Sequence, residues 1–405
     1  MKRKDQLKRR SFLKNLSVGA AGLITTGVVA SEKSLGHYTI TQNNKAEPWK
    51  QISDKKIRMG IVGGGFGSSF FWHQHPNCIV EAVSDLQEER KNKLMEVYQC
   101  SKSYDSLEEL IKDDKIDAVG IFTDAPSHGK HIVEVLKSGK HCISAVPLSM
   151  TLEDIQLVKE WKEKTGLKVM MAETSMFHSD LYNAKLIYEK GMFGKIVYSE
   201  GEYYHFDVDT AWGYKAWRNA LPPMLYPTHA TAYYISVTRK RYTSVSCLGF
   251  KGTAPRYSDN PYNNPFTSET ALFETSEGGM SRINIFWGTE GAHGETGRLF
   301  GELGKFENNV LHIGKGIQAK YEGIGDQGII EYEDRRPPLP PGMESGGHGG
   351  SHGPLTNEFI MALLEDREPI VDVYEAAALT APGIVAHQSA LQKGERLIIP
   401  DFDKD

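Results

Sequence analysis

Two adjoining segments decide the fold: an apolar run, Ile57-Arg-Met-Gly-Ile-Val62, and a glycine-rich turn, Gly63-Gly-Gly-Phe-Gly-Ser68. The run is rich in aliphatic residues, which favours a buried strand, and we expect a helix after the turn. The turn is close to the pattern G-x-G-x-x-G, with Ser68 in the place of the third glycine. Glycines let the chain turn tightly and let backbone N–H groups approach a pyrophosphate. The spacing therefore predicts a dinucleotide site at Gly63 and Gly65.

A carboxylate follows the next predicted strand. Ile79-Val-Glu-Ala-Val-Ser84 is a second β-rich run, and Asp85 comes directly after it, 22 residues after Gly63. A carboxylate there can accept hydrogen bonds from both ribose hydroxyls of NAD, and it would repel the additional phosphate of NADP. Asp85 could instead be a helix N-cap. The turn and the carboxylate together predict NAD as the cofactor.

The alternation of strands and helices continues to residue 147. Helices are predicted at Leu107–Lys112 and His131–Ser138, and strands at Ala118–Phe122 and His141–Ser144. This pattern indicates a parallel, doubly wound sheet, whose ligand lies at the carboxyl ends of the strands. The residues at such ends are Thr123, Pro126, His128 and Ala145-Val146-Pro147.

Bulk properties limit the classes of function. A chain of 405 residues suggests two domains, and its net charge of −5 gives no sign of a nucleic-acid partner. The four cysteines form neither a disulfide framework nor a metal-type spacing. Three pairs of nearby histidines lack the additional carboxylate or cysteine of a zinc site, so we expect no metal. They are His73 with His75, His128 with His131, and His348 with His352.

The N-terminus has the features of an export signal. Residues 8–14, Lys-Arg-Arg-Ser-Phe-Leu-Lys, match the twin-arginine pattern, and an apolar run over residues 16–30 ends at the small residue Ala30. That run is too short and too weakly apolar for a stable membrane anchor. The alternative is a basic amphipathic helix. We expect export of the folded protein to the periplasm, which suits an enzyme that must load its cofactor first.

The chain resembles the Gfo/Idh/MocA oxidoreductase family over about residues 55 to 400. The resemblance rests on the glycine turn, Asp85, the Thr123–His128 loop, Ser138-Gly-Lys-His141 and the turn at Pro147. It implies a Rossmann domain followed by a domain with a large, mostly antiparallel open sheet. Family members usually have a lysine beside the nicotinamide where this chain has Val146, and valine cannot transfer a proton.

The second half is similar to the glycoside hydrolase family 109 branch, which also has valine at that place. The similarity lies in Met170–Thr174, Gly191–Lys195, Trp217-Arg218, Leu225–His229 and Pro369–Phe402. It implies that Phe66, Gly67, Asp85, the Ala125–His128 loop, Ala145, Val146 and Thr174 contact NAD. It also implies that Tyr203, Arg218, Tyr226, Pro227, Thr228 and His229 face a sugar. Ala145, Thr174 and Phe177 depart from that branch, so a sibling group with another substrate stays open.

The resemblance and the hydrophobic pattern divide the chain into four segments. They are a signal peptide at 1–30, a linker or arm at 31–55, an NAD-binding Rossmann domain at 56–150 and a substrate-binding and oligomerisation domain at 151–405. Helices predicted at 357–364 and 373–392 pack back against the first domain. Since family members often associate through the open sheet, we expect a homo-oligomer.

His229 is the first candidate for catalysis, because histidine exchanges protons near neutral pH and an oxidised hydroxyl needs a base. Tyr226 could orient the sugar or share this proton transfer. Glu173 is either an acid–base group or a cap or salt-bridge partner, and Trp212 and Trp217 either stack on a sugar or belong to the core. The glycine-rich segment 344–353 could be a lid over the substrate or a surface turn.

Three functions remain open. The chain could be a redox-neutral glycosidase that oxidises a sugar transiently at carbon 3, a sugar oxidoreductase or dehydrogenase with tightly bound NAD(P), or a non-catalytic sugar-binding relative. The missing lysine counts against the second, and the intact Tyr226–His229 motif counts against the third. Outside the cytoplasm there is no pool of free nicotinamide, so a bound cofactor must be regenerated in each cycle, which favours the first.

The export signal makes a direct prediction. Replacing the pair with Arg9→Lys and Arg10→Lys should trap the precursor in the cytoplasm, because the twin-arginine receptor reads that pair. Immunoblots of cell fractions measure this, with Arg3→Lys outside the pair as the matched control. Normal periplasmic accumulation of the double variant would refute the export route.

Overall fold

The structure is a computed structural model that describes residues 38–40, 48–211, 213–318 and 328–404. The predicted signal peptide and Trp212 lie outside the described residues. Within the predicted arm, strand β1 (Tyr38–Ile40) pairs in parallel with a strand near residue 330. The arm therefore contributes to a sheet of the second domain.

The first domain is built on a six-stranded parallel sheet, in the order β4-β3-β2-β5-β6-β7. This confirms the predicted doubly wound fold. Its last strand lies at residues 169–171, so the sheet extends beyond the predicted boundary at 150. The strands are β2 (Ile57–Val62), β3 (Cys78–Ser84), β4 (Ser103–Tyr104), β5 (Ala118–Ile121), β6 (His141–Ser144) and β7 (Val169–Met171).

Four α-helices connect these strands. Ser106 and Thr151 begin two of them, since each side chain accepts a hydrogen bond from a backbone N–H of the first turn. Gly166 ends the longest in a left-handed conformation, at φ +68°. The helices are α1 (Glu88–Tyr98), α2 (Leu107–Leu110), α3 (His128–Lys137) and α4 (Leu152–Thr165).

The segment after the glycine turn differs from the prediction. A 3₁₀ helix over Phe66–Ser69 takes the place of the expected α-helix, and Phe71 adopts a left-handed φ of 54°. The buried ring of Phe70 lies 4.5 Å from that of Phe122, centroid to centroid. The short helix therefore ends where the buried rings of Phe70 and Trp72 enter the core.

The second domain contains a ten-stranded sheet, in the order β1-β15-β14-β13-β12-β8-β11-β10-β9-β16. Most neighbours are antiparallel, with parallel pairs at β1–β15 and β8–β11, which confirms the predicted open sheet. The strands are β8 (Ile196–His205), β9 (Tyr242–Lys251), β10 (Phe266–Thr275), β11 (Met280–Phe286), β12 (His293–Gly301), β13 (Gly304–Glu307), β14 (Val310–Ile313), β15 (Ile329–Tyr332) and β16 (Leu397–Ile398).

Helices cover one face of this sheet. The helices of the domain are α5 (Ser179–Glu189), α6 (Thr228–Thr238), α7 (Lys315–Gln318), α8 (His352–Leu364) and α9 (Val373–Leu391). Every residue of α6 is buried. The helix approaches the sheet closely at Gly201, where a Cβ atom would lie 2.0 Å from the carbonyl oxygen of Ala230. The glycine therefore lets α6 lie directly on the central strands.

The C-terminal helices join the two domains. Helix α9 contacts α4 and β7 of the first domain as well as β9 of the second, and α8 contacts β2. The opposite face of the large sheet exposes apolar side chains on β9, β10 and β11. They are Leu248, Phe250, Leu272 and Met280.

Candidate functional site

The glycine turn packs tightly against the backbone of neighbouring segments. Gly63 has a φ of +100°, and a Cβ atom there would lie 2.3 Å from the carbonyl oxygen of Phe122. A Cβ atom on Gly64 would lie 2.5 Å from the carbonyl oxygen of Arg90. Both obstacles are backbone atoms, so only glycine fits. The turn follows β2 at its carboxyl end, where a pyrophosphate binds in this architecture.

Asp85 follows β3 and is tied to the turn. One carboxylate oxygen accepts a 2.7 Å hydrogen bond from the Gly64 N–H, and the other accepts a 2.7 Å bond from the Gln87 N–H. Helix α1 begins at Glu88 with Gln87 as its N-cap residue, so Asp85 is not the cap. Each carboxylate oxygen keeps a further lone pair for a ribose hydroxyl. The glycine turn and Asp85 therefore fit NAD.

The other residues predicted at the cofactor differ in what they present. Pro126 is exposed and Thr123 is half-buried, whereas His128 and Thr174 are buried. The His128 ring braces its own turn, with Nδ1 2.8 Å from the Pro147 carbonyl oxygen and Nε2 3.3 Å from that of Thr123. The predicted contacts of His128 and Thr174 with NAD stay predictions. Ala145 and Val146 come directly after β6 and are also buried.

An ion pair joins His229 of the second domain to Glu173, which follows the last strand of the first domain's sheet. The imidazole Nδ1 lies 2.7 Å from a carboxylate oxygen of Glu173, and both side chains are buried. Glu173 follows β7 and also accepts a 2.9 Å bond from the Ser175 N–H. His229 is the second residue of α6. The cap and the ion pair considered as alternatives for Glu173 are thus both present.

The two carboxylates near His229 control its protonation. Burial by itself lowers the pKa of His229, but the charges of Glu173 and Glu295 outweigh burial and raise this pKa to about 9. Arg218 acts in the opposite direction. At neutral pH the imidazole is therefore protonated, and it becomes a base only after it releases a proton.

Three further predicted residues surround His229. The Tyr203 ring meets the His229 ring edge to face at 4.8 Å and stacks against the Tyr226 ring at 6.1 Å. The Arg218 guanidinium carbon lies 5.3 Å from the centre of the Tyr226 ring. Burial raises the pKa of both tyrosines, so their phenols stay protonated and can donate hydrogen bonds. The structure thus brings Tyr203, Arg218, Tyr226 and His229 together, as predicted from the sequence.

A buried glutamate, Glu269, fixes the turn before α6. Pro227 and Thr228 are buried, as are Tyr226 and His229 beside them, and their contact with a sugar stays a prediction. The Met224 N–H donates a 2.8 Å bond to Glu269, whose other carboxylate oxygen lies 2.8 Å from Nδ1 of His387. A second buried carboxylate–histidine pair therefore fixes the turn that carries Tyr226.

Sequence reasoning missed several residues of the site. Ser175 lies 3.3 Å from Nδ1 of His229 and donates a 2.5 Å bond to Glu295 on β12. The carbonyl oxygen of His348 lies 3.0 Å from Nε2 of His178. Glu295 lies 122 residues after Glu173 and belongs to no motif. The only signal for it is the strand pairing of β8 and β12, which one sequence does not reveal.

The glycine-rich segment 344–353 lies against the cofactor turn. The His348 and Phe66 rings are 5.2 Å apart, and Nδ1 of His352 lies 2.9 Å from the Ser69 carbonyl oxygen. The segment therefore lies between the glycine turn and His178 of the second domain. Across the described ranges no group of three or more potential ligand side chains is arranged for a metal ion. No helix in the described part of the chain is both long and apolar enough to span a membrane.

Comparison with known families agrees with this geometry. Residues 57–173 match the family model of the Gfo/Idh/MocA oxidoreductases, described as an NAD-binding Rossmann fold. The first domain is similar to the NAD-binding domain of the Gfo/Idh/MocA oxidoreductases. Residues 341–405 match the glycosyl hydrolase 109 C-terminal domain. The family resemblance, the NAD cofactor and the assignment as an NAD-dependent enzyme of the oxidoreductase family are confirmed.

The Gfo/Idh/MocA domain is accompanied by similarity over the whole chain. A glycosyl hydrolase family 109 protein of Akkermansia muciniphila is 27% identical, over 98% of this chain and 96% of its own length. A glycosyl hydrolase family 109 protein of Shewanella sp. strain W3-18-1 is 25% identical, over 98% of this chain and 96% of its own length.

Solved structures share the fold. Levoglucosan dehydrogenase in complex with NADH and L-sorbose has a TM-score of 0.70 and 16% identity, over 86% of this chain and 100% of its own. Myo-inositol dehydrogenase of Lactobacillus casei, in complex with NAD(H) and myo-inositol, has a TM-score of 0.65 and 14% identity. The match covers 86% of this chain and 98% of that chain.

The tie between Asp85 and the turn makes a prediction about affinity. Asp85→Ala should weaken NAD binding by roughly 10- to 100-fold, because it removes a charged acceptor from both the turn and the ribose. Isothermal calorimetry of the purified apoprotein measures this, with the exposed Glu89→Gln variant on α1 as the control. Unchanged NAD affinity, or a preference for NADP in the wild type, would contradict the assigned role.

The His229 ion pair makes a prediction about stability. Because the folded-state pKa of about 9 exceeds the unfolded value of 6.5, the pair stabilises the fold below pH 6.5, and this contribution is lost as the pH rises through 9. The free energy of unfolding of the wild type, relative to His229→Gln, should fall between pH 6.5 and 9 in urea titrations. The same comparison, with and without His229→Gln in a Glu173→Gln background, should show no such fall. If the free energy of unfolding of the wild type relative to His229→Gln does not change with pH, His229 is neutral in the folded protein.

Proposed function

We propose that this protein is an exported enzyme that cleaves a glycoside without net oxidation, using NAD that stays bound through the cycle. The observation that carries the proposal is the buried Glu173–His229 pair beside Tyr203, Tyr226 and Arg218. It supplies a proton-transfer group in a chain whose position after β6 is Val146 rather than lysine.

The names of relatives support two reactions. The curated relatives are named as glycosyl hydrolase family 109 proteins, and the solved structures with this fold include sugar and inositol dehydrogenases. Both groups point to a sugar as the substrate. A sugar oxidoreductase is the second candidate, favoured by those dehydrogenases.

The bound NAD supplies reversible oxidation of a sugar hydroxyl, which we assign to carbon 3. His229 takes up the proton of that hydroxyl and returns it when the hydroxyl is restored. To do so, His229 must first release its own proton to solvent, which Arg218 favours and the two carboxylates oppose, so the competent neutral form increases as the pH rises toward 9. Glu173 orients the ring through Nδ1 and stabilises the charge when the proton arrives.

The neighbouring side chains orient the sugar. Tyr226 and Tyr203 keep their phenolic protons and donate hydrogen bonds, and Arg218 offers a fork of N–H groups to sugar hydroxyls. A ketone at carbon 3 makes the hydrogen on carbon 2 acidic, because the resulting carbanion is delocalised as an enolate. The group on carbon 1 can then leave, and this route needs no pair of carboxylates flanking the glycosidic bond.

The export pattern at residues 8–14 supports the redox-neutral route. A periplasmic enzyme has no free nicotinamide to exchange with, so its cofactor must end each cycle in its starting state. Cleavage by transient oxidation meets that condition, and so does an oxidoreductase that couples two sugars.

The proposal makes a prediction about isotope incorporation. Purified holoenzyme is incubated in heavy water with a panel of p-nitrophenyl glycosides, and the released sugar is analysed by NMR. We expect deuterium at carbon 2 of the sugar and no accumulation of reduced cofactor. His229→Ala should lower turnover by roughly 100-fold or more, while NAD stays bound.

Two outcomes would contradict the proposal. A sugar without deuterium at carbon 2, or reduced cofactor formed in proportion to product, would favour the oxidoreductase instead. Near wild-type turnover by His229→Ala would assign the proton transfer to another group. The retained NAD of the variant, measured by mass spectrometry of the denatured protein, excludes loss of cofactor as the cause.

A further inference from the structure

A second carboxylate, that of Glu295, shares the site with Glu173. Glu295 lies on β12, directly opposite Tyr203 on β8 in the strand register. Directly opposed residues place their side chains on the same face of a sheet. The Tyr203 ring contacts His229 on that face, so the Glu295 side chain belongs to the same cluster.

The contacts of Glu295 fix its carboxylate between Ser175 and two histidines. One oxygen accepts the Ser175 hydroxyl at 2.5 Å and lies 3.6 Å from Nδ1 of His178, and the other lies 4.0 Å from Nδ1 of His229. Among the described residues, only these two histidines come within ion-pair distance of the carboxylate. No lysine or arginine of the described chain lies within that distance, and the imidazolium of His229 is shared with Glu173, which is nearer at 2.7 Å.

The two carboxylates differ in access. The Glu173 side chain is 0% exposed, whereas 12% of the Glu295 side chain is exposed. Glu173 therefore reaches a substrate only through His229, while Glu295 still has an open side. The tyrosines of the cluster keep their protons, as described above, so they are poor acceptors for a further proton.

We propose that Glu295 is the base that removes the proton from carbon 2 of the oxidised sugar. This inference rests on the proposed function, which supplies the ketone at carbon 3 with bound nicotinamide as the oxidant. The carboxylate takes the proton, and the electron pair of the C2–H bond forms the C2–C3 double bond of an enolate. When the enolate collapses, the carbon 3 carbonyl re-forms, a C1–C2 double bond forms, the C1–O bond breaks, and the leaving oxygen takes up a proton from solvent. Water then adds at carbon 1, carbon 2 takes up a solvent proton, and the hydroxyl at carbon 3 is restored.

His178 acts as a positioning residue for this base. Its ring lies between the Glu295 carboxylate, 3.6 Å from Nδ1, and the His348 carbonyl oxygen, 3.0 Å from Nε2. The ring therefore connects the carboxylate to the glycine-rich segment 344–353, which lies against Phe66. Ser175 connects the same carboxylate to the Glu173–His229 pair.

The test separates the two proton transfers in the holoenzyme. The probe is the p-nitrophenyl glycoside that the wild type cleaves fastest, and Glu295→Gln keeps an oxygen that can accept the Ser175 hydrogen bond. We expect the variant to show reduced nicotinamide absorbance after mixing, at the wild-type rate. Deuterium uptake at carbon 2 should fall by roughly 100-fold or more.

Two further variants complete the design. Glu295→Asp keeps an ionised carboxylate and should retain more carbon 2 exchange than Glu295→Gln. Glu290→Gln, an exposed carboxylate just before β12, should behave as the wild type. Thermal melting and NAD affinity confirm that each variant is folded and loaded.

The outcomes are distinguishable. Wild-type exchange in Glu295→Gln would overturn the assignment of the base, and so would loss of both signals in that variant. A wild type that shows neither reduced cofactor nor exchange would instead overturn the proposed function. Loss of exchange alone, with cofactor reduction preserved, supports Glu295.

Discussion

The pair formed by Glu173 and His229 is the interaction on which the site depends. A carboxylate with no exposed surface is stable only if it is paired and hydrogen-bonded, and Glu173 has both His229 and the Ser175 N–H as partners. The pair also spans the domains, since Glu173 follows the last strand of the parallel sheet and His229 begins α6 on the large sheet. The requirement to satisfy one buried charge therefore fixes how the cofactor half and the sugar half of the site meet.

The remaining architecture supports that junction. Close approach of α6 to β8 at Gly201 places His229 above the strand that carries Tyr203. The Glu269–His387 pair fixes the turn at Met224 from beneath, and α9 provides His387 while it contacts the first domain. Two buried carboxylate–histidine pairs thus flank the short segment that carries Tyr226. Each is costly to break, because removal of one partner leaves the other buried and unpaired.

Proton chemistry in this site is concentrated at the junction of the two domains. The turn after β6 carries Val146, which has no proton to exchange, and the His128 ring is occupied by backbone carbonyl groups. The first domain therefore contributes the glycine turn and Asp85, which suit cofactor binding. The groups that can transfer protons come from the end of β7, from α6 and from β12. This division explains how the dinucleotide half can keep its fold while the chemistry of the other half changes.

The sequence by itself determined the elements whose signal is local. Spacing along the chain indicates the glycine turn at Gly63, the carboxylate at Asp85 and the alternation of strands and helices. Backbone geometry imposes that spacing directly within one strand–turn–strand unit. The cluster around His229 was anticipated from the motif at Tyr226–His229. Only the tertiary structure decided that Phe66–Ser69 is a 3₁₀ helix, which ends where the buried rings of Phe70 and Trp72 enter the core. It also decided that Glu295 joins His229, because β12 lies beside β8 only in the folded sheet, and the pairing of distant strands leaves no trace in the spacing of one sequence.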